Sequence, residues 1–397
     1  MEQKLDYDVI IAGAGPAGSS AAINLAGHGI KVLLVEQKKF PRPKLCGEFI
    51  SPECLKHFEL LGIPDRMLHA GGESIDRTVF YSRAGRKVEV PSKWFDTHNQ
   101  ALGLSRAEMD QRLLERAREV GVDVVEETQA VFLRNEESKI RKVQLKSDRQ
   151  IRETTAAVVV DATGRARSLV HRLEANDGKR RTGRASLVAF KAHLENARPE
   201  PGSCEIYFYR GGYGGLNRVE HGLSNLCFIA AAQDVRACQA DPEKAMRRLV
   251  AENSRAAETL AQARAHDQWL AVSLESFGRH EPAPADGLLT VGDAAAFIDP
   301  FTGSGMLMAL QGGELVAGEI ARHLPELRSG GSFKLLAGSY RGAYSRKFGS
   351  RLNLCGLLRR AAFAPNFAGA AIAIFGANDR LRQGFARATR GRRWIGS

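Results

Sequence analysis

Cysteine is scarce in this 397-residue chain, and the six present (Cys46, Cys54, Cys204, Cys227, Cys238, Cys355) form no C-x-x-C pair and stand at no metal-ligand spacing from histidine. That pattern argues against a zinc site and a disulfide framework, and predicts no metal and a reducing, cytoplasmic setting. The opening MEQKLDYDVIIAGAG has an apolar stretch too short for an export signal and no small-residue cleavage site after it, so no export is expected. Nor is there a run that could cross a bilayer. The most apolar late segment, Leu352 to Phe375, is broken by Gly356, Pro365 and Gly369 and carries Arg359 and Arg360. Internal repeats and low-complexity tracts are absent.

The composition is otherwise that of a folded enzyme, with 44% hydrophobic and 26% charged residues. Because a single core stops growing near ~250 to 300 residues, several domains are expected. The formal net charge of +12 is unevenly placed: from Gly331 onward thirteen Lys and Arg face Asp379 alone, so the last segment holds the whole excess. Two readings of that basic tail stand. It lies on an anionic membrane surface and delivers a lipid-like substrate, or it is a helical cap packed on the substrate domain with a solvated basic face. A nucleic-acid partner has no motif behind it and none is expected.

Patterning gives the organisation. Tyr7 to Ala12 is a β-branched run, a glycine cluster follows, Pro16 to Ala26 is rich in Ala and Leu, and Lys31 to Val35 is a second apolar run: strand, turn, helix, strand. Helical spacing recurs at Ser51 to Leu61 and Ser105 to Val120, the latter with Ser105 and Glu108 placed as a capping box. Thr78 to Val90 reads as a hairpin around Arg83-Ala84-Gly85, and Ala130 to Asp161 as two or three strands. Ser186 to Gly278 alternates strands (Ser186 to Leu194, Glu205 to Arg210, Ser224 to Ala231, Leu270 to Phe277) with two helical stretches in Pro242 to Arg264. A strand over Asp286 to Asp293, a long helix over Ser304 to His323 and helical spacing from Phe333 complete the chain.

The predicted fold is α/β: a Rossmann-type domain interrupted by a mainly antiparallel β-sheet domain, with a helical C-terminal region. The expected division assigns 1–75, 100–170 and 280–330 to the nucleotide-binding part, 76–99 and 171–279 to the substrate part, and 331–397 to the basic helical part.

Gly13-Ala14-Gly15-Pro16-Ala17-Gly18 sits between the first strand and the first helix, and Glu36 ends the next strand 18 residues later. Gly13 permits the turn, Gly15 lets backbone approach a pyrophosphate, Gly18 lets helix and strand pack closely, and the helix N-terminus offers N–H groups to phosphate. Glu36 suits ribose hydroxyls. The motif fits FAD or NAD alike.

A second glycine-rich segment, Gly292-Asp293-Ala294-Ala295-Ala296-Phe297-Ile298-Asp299-Pro300-Phe301-Thr302-Gly303-Ser304-Gly305-Met306, puts a carboxylate at a strand end where ribityl hydroxyls can donate to it and opens another helix. It resembles the second FAD signature of the geranylgeranyl reductase family, within the p-hydroxybenzoate hydroxylase-like superfamily. Phe40-Pro41-Arg42-Pro43-Lys44-Leu45-Cys46-Gly47 resembles that family's FPR-x-K-x-CG segment, Leu104-Ser105-Arg106 its FAD-reaching arginine, and Val160-Asp161-Ala162-Thr163-Gly164 its ATG motif. The four stand in family order between Asp6 and His323. The resemblance implies FAD as cofactor, with Arg42, Lys44 and Arg106 near its phosphates or flavin, Asp293 on its ribityl chain, and Gly164, Pro300, Gly303, Gly305 and Met306 in its binding segments. It also brings Cys46 close to flavin and substrate, as a proton donor or as part of the pocket wall.

The family's Tyr-x-Trp-x-Phe-Pro segment departs here to Gly212-Tyr213-Gly214-Gly215-Leu216-Asn217-Arg218, which keeps only the tyrosine. Tyr213 either faces the flavin or serves a turn structurally; Glu220 and His221, in the turn after it, either assist proton transfer or form a polar hairpin tip. The Trp-x-Trp pair of flavin-dependent halogenases is missing among Trp94, Trp269 and Trp394. No second G-x-G-x-x-G follows a later strand, so electrons are expected from transiently bound NAD(P)H or from an external donor. The activity expected is reduction of an apolar prenyl, lipid or polyketide-like substrate by hydride transfer to a double bond. One alternative is a monooxygenase hydroxylating or epoxidising an aromatic or polyketide-like compound with NAD(P)H and O2, and another, of a different class, is a non-enzymatic membrane- or RNA-binding protein.

Overall fold

The computed structural model describes residues 5–95, 100–133, 140–148, 150–176, 186–274, 277–299, 303–362 and 367–388. Its centre is a five-stranded parallel sheet ordered Leu288–Thr290, Val158–Asp161, Val9–Ala12, Val32–Val35, Asp123–Val125. These strands are short, and the four in which every residue is apolar or ends in a single Asp or Thr are buried on both faces, as a sheet covered on both sides requires. The helices Pro16–Gly27 and Gly305–Arg328 cross one face in close contact. A Cβ on Gly313 would stand 2.6 Å from the Ala17 carbonyl oxygen, and Ser20 Oγ donates to the Leu310 carbonyl at 3.0 Å. A three-stranded antiparallel sheet, Gln129–Leu133, Arg141–Lys146 and Ile151–Ala156, covers the other face, with Phe132, Val143 and Leu145 packed on Ile10, Leu33 and Val159.

The second large sheet has eight strands. Arg264–Ala265, Leu187–Glu195, Ser224–Ala231, Gly212–Arg218, Ser203–Tyr209, Arg77–Tyr81 and Lys87–Pro91 follow in order, with Leu270–Leu274 on the free edge of Leu187–Glu195. Every pairing is antiparallel except that of Ser203–Tyr209 with Arg77–Tyr81. The helices Pro242–Arg248 and Ser254–Thr259 cover one face, burying Tyr207, Phe228, Met246 and Leu260. The other face looks toward the parallel sheet.

Three expectations are corrected. Gly212–Arg218 is a full strand, with Tyr213 inside it opposite Ile229 and Phe208 and not in a turn. Its glycines hid it: Gly214 lies where a Cβ would be 2.9 Å from Phe228 Cβ, so the position is small because neighbouring chains approach closely. Glu220 is not a polar tip but is buried, its carboxylate accepting from Ser105 N–H at 3.0 Å. The capping box is correspondingly half-formed. Ser105 Oγ accepts from Glu108 N–H, while the Glu108 side chain turns to Arg112 and Glu220 takes the return bond.

The C-terminal region is not a single cap on the antiparallel sheet. Its first helix, Phe333–Ala362, sets Leu336, Tyr340, Tyr344 and Phe348 along one stripe into the parallel-sheet core, and Tyr340 donates to the Thr290 carbonyl at 2.8 Å. The helices Phe367–Ala377 and Asp379–Ala388 then pack on the hairpin of Arg77–Tyr81 with Lys87–Pro91.

Candidate functional site

A cavity of about 680 Å³ runs between the two large sheets. Along it lie Gly13, Gly15, Pro16, Ala17, Glu36, Arg42, Lys44, Cys46, Arg106, Gly164, Tyr213, Asp293, Gly303, Gly305 and Met306, which the fold gathers from six separate stretches of chain. Gly18 does not line it. A Cβ there would stand 1.8 Å from the Gly13 carbonyl oxygen, so Gly18 lets the helix start beneath the turn. Pro300 lies outside the described residues.

At the glycine end, Gly13 has φ +102° and a Cβ would stand 2.4 Å from the Ala162 carbonyl oxygen, so no side chain fits. The helix Pro16–Gly27 begins here with proline in its first turn and no side-chain cap, leaving its first N–H groups directed at the cavity. Glu36 is held in place by Ala14 N–H at 2.9 Å and Lys38 N–H at 3.0 Å. Arg106 is fixed by a two-pronged bond to Asp110, at 2.8 and 2.7 Å, and passes beside Gly15. Burial disfavours the Arg106 charge, but Asp110 next to it, itself fully buried, holds the guanidinium above its ordinary pKa. Arg42 reaches both Glu36, at 3.5 Å, and Asp110, at 3.8 Å.

In the middle, Lys44 and Asp293 respond oppositely to the same enclosure. Burial pushes the Lys44 amine down, helped by Arg106, Arg42 and Arg165, and pushes the Asp293 carboxyl up against the pull of Lys44 and Arg165. The Asp293 carboxylate takes no hydrogen bond from the described residues. A half-buried carboxylate that lines the cavity beside three cations, with no hydrogen bond from the described residues, is a site prepared for hydroxyl donors. Burial also pushes the Cys46 thiol up, so Cys46 is a protonated S–H at neutral pH, with Glu48 N–H 3.5 Å from its sulfur.

At the far end the wall is apolar: Phe80, Val88, Phe95, Phe208, Ile229 and Phe375. Tyr213 stands at the border, its hydroxyl donating to the buried Asp299. Sequence reading missed Asp299, the cavity-lining Glu48, and His193 and Lys191 behind it. Glu48 directly follows Cys46-Gly47 and has φ +51°, which a sequence pattern does not announce. His193 and Lys191 lie in a strand that is otherwise apolar up to its terminal Glu195, where two basic residues at alternating positions were the available signal.

This donor set fits FAD: a cradle that a Cβ would fill, a helix N-terminus, an acid for ribose, arginines, and an unbonded carboxylate for a ribityl chain.

Comparisons agree. The model of the family described as FAD binding domain matches residues 6–332. Digeranylgeranylglycerophospholipid reductase 2 of Methanopyrus kandleri is 27% identical over 331 residues, covering 80% of this chain and 77% of that protein. Among solved structures, the flavin-dependent brominase Bmp2 superposes with a TM-score of 0.79 at 21% identity, covering 97% of this chain and 93% of that one. A geranylgeranyl bacteriochlorophyll reductase-like protein of Thermoplasma acidophilum gives 0.74 at 19%, covering 96% and 91%. The chain belongs to the family described as FAD binding domain and is an FAD-dependent oxidoreductase.

Proposed function

We propose that the enzyme reduces carbon–carbon double bonds of a prenyl-type lipid. The observation that carries this reading is the continuity of the cavity: one space joins the FAD-fitting residues to a wall of aromatic and aliphatic side chains, the surface an isoprenoid chain would need. The M. kandleri relative is named for a digeranylgeranyl glycerophospholipid, a substrate of the same chemistry.

In this reading the pyrophosphate meets the Gly13 to Gly18 turn and the helix N-terminus, with Arg42 and Arg106 beside it, Glu36 takes the ribose hydroxyls, and Asp293 the ribityl chain. Gly164 and the Gly303, Gly305 and Met306 backbone line the flavin region, with Pro300 in the same signature. Bound flavin supplies two electrons as hydride. The chain does the rest. Phe80, Phe208 and Phe375 exclude water, Tyr213 fixed on Asp299 orients the substrate, and Cys46 holds the proton for the second carbon on its sulfur. Electrons come from NAD(P)H bound transiently or from an external donor. The stretches 1–75, 100–170 and 280–330 form the cofactor domain in this account, 76–99 and 171–279 the substrate domain.

The C-terminal helices are proposed as a peripheral membrane contact. No helix among the described residues is long and apolar enough to cross a membrane. Yet among the described residues, four of the seven large apolar side chains left exposed, Leu335, Leu357, Ile374 and Leu381, belong to these helices, beside Arg380 and Arg387. Six cysteines outside any disulfide suit a reducing, cytoplasmic compartment.

The test is product analysis: FAD-loaded protein, strictly anaerobic, with dithionite and a digeranylgeranyl glycerophospholipid in vesicles. Saturated product without oxygen is expected. Product that forms only when oxygen is admitted, and that carries an oxygen atom, would replace the reductase with the monooxygenase.

A further inference from the structure

Behind the Cys46 end of the cavity lies a chain of ionisable groups that flavin binding does not use. Glu48 lines the cavity, with a side chain 1% exposed. Its Oε2 stands 2.6 Å from His193 Nε2, and its Oε1 accepts from Arg106 N–H at 3.0 Å and lies 3.4 Å from Lys191 Nζ. On the other side of the imidazole, His193 Nδ1 is 3.4 Å from Asp267 Oδ2, and the His193 N–H donates to Asp267 Oδ1 at 3.0 Å. Exposure rises in one direction along this chain: 1% at Glu48, 13% at His193 and 35% at Asp267. One end touches the cavity and the other touches water.

A nitrogen and a carboxylate oxygen at 2.6 Å share a proton, and an imidazole with a carboxylate at each nitrogen takes a proton on one side while releasing one from the other. A purely structural ion pair between Lys191 and Glu48 would need no histidine between Glu48 and the surface. We infer that Asp267, His193 and Glu48 form a proton relay that carries protons from solvent to the Cys46 end of the cavity. The inference rests on the proposed double-bond reduction for the use of the proton, not for the existence of the path.

The balance is simple. Reducing one double bond forms two C–H bonds: the cofactor's two electrons travel with one hydrogen as hydride, and the Cys46 S–H gives the other as a proton. Glu48 returns a proton across the cavity to the thiolate, His193 Nε2 restores Glu48, and water at Asp267 restores His193 through Nδ1. Solvent loses one proton per double bond; Cys46, Glu48 and Asp267 end as they began, and His193 ends with its proton on Nδ1 and returns to the Nε2–H tautomer before the next turnover. The other charged or titratable groups facing the path are Lys191, which also stands 3.0 Å from His193 Nε2, Arg106, Cys227 and His266.

The experiment uses FAD-loaded wild type, His193→Gln, His193→Ala and Asp267→Asn. First, the midpoint potential of the bound flavin is followed from acid to alkaline pH by dye equilibration, with no substrate. A break in the wild-type slope that His193→Gln removes, at equal flavin content, is expected. An identical curve in both proteins overturns the relay. Second, dithionite-reduced protein is mixed anaerobically with the digeranylgeranyl glycerophospholipid. His193→Gln is expected to slow flavin reoxidation by roughly a hundredfold with KM unchanged. Asp267→Asn, at the exposed end, is expected to shift the pH profile by a smaller amount, and added imidazole to restore His193→Ala. Imidazole without effect on a folded, yellow His193→Ala protein overturns the relay. If the wild type leaves the lipid unreduced, the double-bond reading fails, and the potential curve still decides the relay.

Discussion

The two ends of the cavity are built by different means. At the nucleotide end the backbone makes the site: a positive φ at Gly13, a contact at Gly18 that admits no Cβ, and a helix N-terminus left uncapped. At the apolar end side chains from the antiparallel sheet and from the C-terminal helices make it, and each is of a type that any core would use. A site made of backbone tolerates almost no substitution, whereas one made of apolar surface tolerates many and changes its preference gradually.

The sharpest break in that comparison is Gly18→Ala. Its Cβ would meet backbone at 1.8 Å, so the protein should lose about 3 kcal/mol of stability and purify colourless, which urea unfolding and flavin absorbance check. Phe375→Ala at the other end should keep full flavin content and raise KM for the prenyl lipid severalfold.

Next in size is Arg106→Met, which leaves the fully buried Asp110 without its two-pronged partner and should cost about 3 kcal/mol in addition to weakening FAD. Asp110→Asn in the same background should recover part of the loss. By contrast Arg328→Ala, at an exposed pair with Asp8, should cost roughly 0.5 kcal/mol or less.

Tyr213→Phe tests the border. Loss of one hydrogen bond to Asp299 should cost about 1 kcal/mol and lower turnover without releasing flavin.

The smallest effect is a matter of sign. Burial raises the Asp293 carboxyl pKa, so in flavin-free protein its favourable protonated state is complete below the unfolded pKa and is lost as pH rises through the folded one. Flavin-free Asp293→Asn should therefore unfold at higher temperature than wild type at neutral pH, and the advantage should shrink on acidification. The same variant should bind FAD more weakly.

This contrast also governs what could be read from the chain. Gly13, Gly15, Glu36 and the parallel strands were legible because a backbone constraint leaves a residue-type signature. The strand Gly212–Arg218 was not, since its glycines answer to neighbouring chains such as Phe228 that only the tertiary fold brings near. Glu48 and His193 are 145 residues apart, and neither has meaning until the antiparallel sheet is laid against the Cys46 segment. The basic tail misled in part, because the Leu336, Tyr340, Tyr344 and Phe348 stripe that seats its first helix on the parallel-sheet core is diluted by intervening Gly, Ser and Arg.

The central claim is that this cavity passes electrons from FAD to a double bond, and the most direct measurement is anaerobic stopped-flow of dithionite-reduced holoprotein against a digeranylgeranyl glycerophospholipid, following flavin absorbance near ~450 nm. The account predicts that the flavin colour returns without oxygen and that the lipid gains two hydrogens for each flavin reoxidised. A flavin that stays bleached until air is admitted, with the lipid double bonds intact, would contradict it.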